Sequence, residues 1–135
     1  MKTLNYVLLL IFLATLGSCS TSVKFPVSSI APAAEGVAKI KKDKNNNYAM
    51  ELSVKYLANP ERLNPPRKHY VVWISTDRDK SINLGMLVSD NKNKASLKSV
   101  SSSKPTQIFV TAEDAGDVKW PGSQELFRSG SLNLK

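Results

Sequence analysis

Between Tyr48 and Tyr56 the chain alternates without a break: Tyr48, Met50, Leu52, Val54 and Tyr56 are apolar, while Ala49, Glu51, Ser53 and Lys55 between them are small or polar. Side chains of an extended strand point to opposite faces in turn, so this pattern sets one apolar row against a core and leaves the other row to water. A helix would scatter the same residues around its circumference. The segment from Val37 to Lys42 supplies a partner strand. Between the two, Asp43-Lys44-Asn45-Asn46-Asn47 offers residues that tolerate turn and left-handed conformations, which predicts a hairpin.

Period two also governs most of the chain beyond Tyr56. From His69 to Thr76 both faces are apolar, with Tyr70, Val72 and Ile74 on one side and Val71 and Trp73 on the other, as expected of a strand at the centre of a sheet. The loop before it, Asn59 to Pro66, carries three prolines and cannot continue a strand or a helix. Further strands are predicted at Ser81 to Val88, Ala95 to Val100, Thr106 to Glu113 and Leu126 to Leu134, separated by polar turns and by an irregular loop bounded by Gly116, Pro121 and Gly122. About seven short strands at even spacing, without an amphipathic helix, predict an all-β, immunoglobulin-like β-sandwich of antiparallel strands. Trp73 is expected to fill the core between its sheets.

The N-terminal region has a different character. An apolar stretch from Tyr6 to Leu16 follows Lys2, is too short to span a bilayer and ends in small residues, the pattern of a secretory signal. Directly behind it stands the only cysteine, in the run Leu16-Gly17-Ser18-Cys19. This tetrapeptide resembles the lipobox of bacterial lipoprotein signal peptides. The resemblance implies cleavage before Cys19, a diacylglycerol on its thiol and an acylated amine. Each buried methylene is worth about 0.8 kcal/mol, so two or three such chains hold a protein on a membrane where one would not. Ser20 stands where a retention signal would carry aspartate, which implies a lipid anchor in the outer membrane, facing the periplasm. The other reading of Cys19 is a free thiol behind an ordinary signal cut. Three parts are expected: a signal peptide over residues 1–18, a lipidated N-terminus and flexible tether rich in Ser, Ala, Pro and Val over 19–35, and a single β domain over 36–135.

Nineteen Lys and Arg stand against eleven Asp and Glu, a formal net charge of +8, which favours anionic neighbours. Lys39, Lys41, Lys42 and Lys44 surround one predicted turn, and Arg67 and Lys68, followed by His69, lie near another. These are the candidate contacts to an anionic glycan, a lipid head group or an envelope protein. No aromatic residues are interleaved with them to stack bases, and an exported location also speaks against nucleic acid as the partner. Lysines that only solvate loop tips and strand edges are the plainer alternative.

Catalysis finds little support. His69 is the one histidine, and Cys19 is assigned to lipid, so neither a nucleophile-base pair nor a thiolate or imidazole metal site is predicted. The glycines are scattered singly, with no phosphate-binding loop and no motif for a cofactor. Two carboxylate groups remain: Asp77 with Asp79, and Glu113 with Asp114 and Asp117. Such pairs can hydrolyse a glycan or bind calcium, and they carry the alternative of an enzyme acting on envelope glycan.

A second resemblance spans Val37 to Gly130. The blocks Tyr70-Val71-Val72-Trp73-Ile74, Asn83-Leu84-Gly85 and Ile108 to Gly116, with a later Trp120-Pro121-Gly122, are similar to the extracytoplasmic domain of anti-sigma-K factors. The sigma-binding helices and transmembrane helix of that family have no counterpart here, and Asp114-Ala115-Gly116-Asp117 replaces its usual Glu-Pro-x-Gly-Gly. The resemblance therefore implies an exported binding or sensory module. A structural accessory lipoprotein of an outer-membrane complex is the further alternative.

Overall fold

The computed structural model describes residues 19–90 and 92–134; the predicted signal segment, including Leu16 to Ser18 of the lipobox, lies outside them. Nine strands are formed: β1 (Ser20–Lys24), β2 (Glu35–Lys42), β3 (Tyr48–Lys55), β4 (His69–Ser75), β5 (Ser81–Met86), β6 (Val88–Ser89), β7 (Lys94–Ser101), β8 (Gln107–Glu113) and β9 (Glu125–Arg128). They build two antiparallel sheets, β1-β2-β3-β7-β6 and β5-β4-β8-β9. The inner strands β2-β3-β7-β6 and β4-β8-β9 follow the ABED and CFG order of an immunoglobulin-type sandwich, with β1 and β5 added at the edges. The expected all-β sandwich is thus the fold.

The alternation read from the sequence explains the core. Ala38 and Ile40 from β2, Met50, Leu52 and Val54 from β3, Tyr70, Val72 and Ile74 from β4, and Ile108, Val110 and Ala112 from β8 close on one another between the sheets. Gly36 continues the inward row of β2. A Cβ there would stand 2.9 Å from Phe25 and 3.2 Å from Phe127, whose rings stack at 5.3 Å, so the missing side chain is what lets this aromatic pair settle on the sheet.

Two of the turns share one device. Asp43 Oδ1 accepts the backbone N–H groups of Asn45 and Asn47 at 2.8 and 2.9 Å, and Asp90 Oδ1 accepts those of Lys92 and Lys94 at 2.8 and 3.0 Å. In each, the residue three positions after the aspartate is an asparagine at positive φ, Asn46 at 62° and Asn93 at 58°. The side-chain acceptor and the left-handed asparagine close the chain together. Hydrogen bonds from Lys92 and Lys94 also hold the Asp90 carboxyl below the usual carboxylate range.

Several expectations are corrected. Residues 20–34 are not a tether. Ser20 to Lys24 form β1, paired along its length with β2, and Phe25, Ser28, Ala31 and Ala34 are buried, with Ser28 Oγ accepting the Ala31 N–H at 3.1 Å. The sandwich thus begins at Ser20 rather than at residue 36, because Thr21, Val23 and Phe25 together cover the edge of the core. Trp73 is fully buried but on the outer face of the four-stranded sheet, with Val71, Phe109 and Val118, and not between the sheets. Tyr56 ends the alternation at positive φ and is exposed. The last predicted strand is confined to β9, and the chain beyond it runs irregularly to the buried Leu134.

Candidate functional site

Cys19 is exposed and leads straight into β1, where Ser20 lies opposite Lys41. A shallow cavity of about 450 Å³ at this end is lined by Cys19, Ser20, Lys41, Lys42, Tyr48 and Leu134, among others. The lysine-bearing β2–β3 turn therefore shares an end of the sandwich with the cysteine. Lys42 lies over the Tyr48 ring, its Nζ 5.9 Å from the centroid. Lys44 is exposed in the turn itself.

Arg67 and Lys68 are elsewhere. β3 runs away from the cysteine end, and Tyr70 at the start of β4 donates to the carbonyl of Ala58, just past the end of β3, at 2.9 Å. The segment before β4 thus belongs to the opposite end. Arg67 is not a free cation: its Nη1 pairs with Asp114 Oδ2 at 2.9 Å and its Nε donates to Gln124 Oε1 at 2.8 Å. Lys68 is exposed, with its backbone N–H donating to the Glu113 carbonyl. The two basic groups of the sequence do not form one site.

Lys39 and Lys41 instead join lysines that are remote in sequence. On the outer face of the five-stranded sheet, cross-strand register sets Lys39 opposite Glu51 and Glu51 opposite Lys98, and sets Glu35 opposite Lys55 and Lys55 opposite Lys94. Lys24 at the end of β1 completes this face. None of these lysines forms an ion pair; the pairs among the described residues are Arg67–Asp114 and Arg128–Glu125. Lys24, Lys55, Lys94 and Lys98 escape a sequence reading that looks for neighbouring basic residues. The signal that could have found them is the strand parity that fixes Leu52 and Ala95 inward, since it turns Lys55, Lys94 and Lys98 outward.

The outer face of the other sheet gathers the blocks that resemble anti-sigma-K domains. Trp73 Nε1 donates to Thr111 Oγ1 at 2.8 Å, Thr111 donates to Glu113 Oε1 at 2.6 Å, and the Gly122 N–H donates to the same oxygen at 2.6 Å. Asn83 Nδ2 reaches the carbonyls of Gly116 and Val118 at 3.0 and 2.9 Å. The β8–β9 loop is thereby fastened over Trp73. Its own tryptophan, Trp120, stays 79% exposed.

The carboxylates are divided between the ends. Asp77 and Asp79 follow the end of β4, where Ser75 lies opposite Gln107, whereas Glu113 lies opposite His69 at the beginning of that strand. Six residues of strand, about 20 Å, separate these positions. That exceeds the 5–9.5 Å between the two carboxyls of a glycosidase. Within the second group, Glu113 is held by Thr111 and Gly122 and Asp114 by Arg67. Among the described residues no three His, Cys, Asp or Glu side chains are grouped to hold a metal ion, and no helix is long and apolar enough to cross a membrane. No protein-family model, curated protein or solved structure matches the chain.

Proposed function

We propose that the protein is a lipid-anchored component of the bacterial cell envelope that works without catalysis, as a binding or sensory module related to the exported domain of anti-sigma factors. The observation that carries this reading is the position of Cys19, exposed at the head of β1 and on the same end as Lys41, Lys42 and the β2–β3 turn. A lipid on its sulfur would seat that end on the bilayer, where lysines add attraction to anionic head groups. The separation of the two carboxylate groups, and the structural bonds that occupy Glu113 and Asp114, favour binding over glycan hydrolysis.

Mass spectrometry of the protein taken from membranes tests the anchor. The expected species begins at Cys19 and carries a diacylglyceryl thioether, and Cys19→Ala releases the protein from the membrane fraction. A membrane-extracted chain with an unmodified Cys19 thiol rejects the reading. Hydrolysis of purified cell-wall glycan that disappears on Glu113→Gln or Asp77→Asn would replace the binding module with an enzyme.

A further inference from the structure

We infer that the outer face of the five-stranded sheet is the binding surface, and that its ligand is an extended acidic polysaccharide. Six lysines, Lys24, Lys39, Lys41, Lys55, Lys94 and Lys98, project from four adjacent strands onto this face, against only two carboxylates, Glu35 and Glu51. Strand geometry fixes their spacing: about 4.8 Å between neighbouring strands and about 6.7 Å between successive outward positions along one strand. Two shallow depressions, about 400 and 550 Å³, adjoin across Lys39 and Glu51 and make the face continuous.

The charges are arranged against the interest of the fold. Lys55 stands directly opposite Lys94, and like charges opposite one another weaken a sheet. Nothing among the described residues neutralises either through an ion pair. A chain of anionic groups laid over the face would relieve that repulsion.

The character of the face selects the class of ligand. It carries no aromatic side chain, so it offers no platform for bases and none of the large anchors that dominate protein interfaces. Every cation on it is lysine, a point charge without the fork that reads a single carboxylate or phosphate in two contacts. Recognition therefore works through repeated charge along a polymer. A bilayer fits less well. If Cys19 is lipidated, as the proposed function holds, the row of Lys55 and Lys94 lies about 20 Å along the strands from the anchored end. The field of the head groups decays over about 8 Å at physiological salt.

The test is made with the Cys19→Ala chain in solution, so its outcome does not depend on the lipid. Binding to polygalacturonate, to neutral dextran and to phosphatidylglycerol vesicles is measured for this chain and for two further variants built on it. One loses four face charges (Lys39→Gln, Lys55→Gln, Lys94→Gln, Lys98→Gln), and the other loses four charges elsewhere (Lys42→Gln, Lys44→Gln, Lys68→Gln, Lys119→Gln). The expected result is binding to polygalacturonate and not to dextran, a loss of at least tenfold in the face variant, and a change within twofold in the other. If thermal melting shows the face variant unfolded, Lys39→Gln with Lys98→Gln replaces it, with a loss of at least threefold expected. Equal losses in both variants would reduce the effect to net charge and overturn the proposal. So would absence of binding to polygalacturonate, or dependence on the face lysines for vesicles alone.

Discussion

Trp73 donates its indole N–H to Thr111 Oγ1 across β4 and β8, on the side of the sheet turned away from the core. Thr111 passes the bond on to Glu113, which in turn receives the Gly122 N–H. One hydroxyl thus satisfies a buried donor and a buried acceptor. Thr111→Val keeps the shape and removes both bonds, and an unsatisfied buried polar group costs about 1–3 kcal/mol. Urea unfolding should show a loss of that order for Thr111→Val and less than half of it for Thr111→Ser. Equal losses would mean that the methyl group, not the hydroxyl, holds the loop.

Gly36→Ala should be destabilising by about 1–3 kcal/mol, the usual cost of overfilling a packed core. The new Cβ meets Phe25 at 2.9 Å, so the aromatic pair must shift. Phe25 directly follows β1, and hydrogen exchange should therefore accelerate in β1 more than in β4. Uniform acceleration across both sheets would contradict a local effect.

Burial pushes the Tyr70 phenol up to about 12 from its ordinary 10.0. Between those values the unfolded chain has released a proton that the folded chain retains, so stability falls as pH rises through this window and is fully present below it. At about 1.4 kcal/mol per pH unit, the loss approaches 2–3 kcal/mol by pH 12. Tyr70→Phe should be less stable at neutral pH, having lost the bond to Ala58, yet should lose less stability between pH 10 and 12. Denaturant titrations of both proteins across that range give the comparison, since lysine titration is common to the two. Parallel pH curves would exclude the phenol as the cause.

Asp43→Ala and Asp90→Ala each remove two side-chain to backbone bonds from an exposed turn, and each should cost about 1 kcal/mol. The turns lie at opposite ends of β3 and β7, so the double variant should lose the sum of the two. A double variant much worse than that sum, measured by thermal unfolding, would show the turns to be coupled.

How clearly each strand shows in the sequence depends on how much it buries. β3 has neighbours on both sides and one face on the core, so Tyr48 to Val54 alternate clearly. β4 is legible as a central strand because both of its faces are apolar, but that same property hides which face is inside. Tyr70, Val72 and Ile74 point between the sheets, while Val71 and Trp73 are covered by the β8–β9 loop, a contact between segments far apart in the chain. β1 escapes notice because an edge strand buries only part of Thr21 and Val23, and its serines and lysine resemble a linker. The lysine face is hidden for a related reason: its members share a side of a sheet and not a stretch of sequence.

The direct passage from Cys19 into β1 also has a mechanical meaning. β1 runs from the cysteine end along β2, with Ser20 opposite Lys41 and Lys24 opposite Val37. A pull on Cys19 away from that end acts along the strand, so the bonds between β1 and β2 share the load in shear instead of parting one by one. Tension delivered at the cysteine is therefore met by the whole strand pair before it reaches the core.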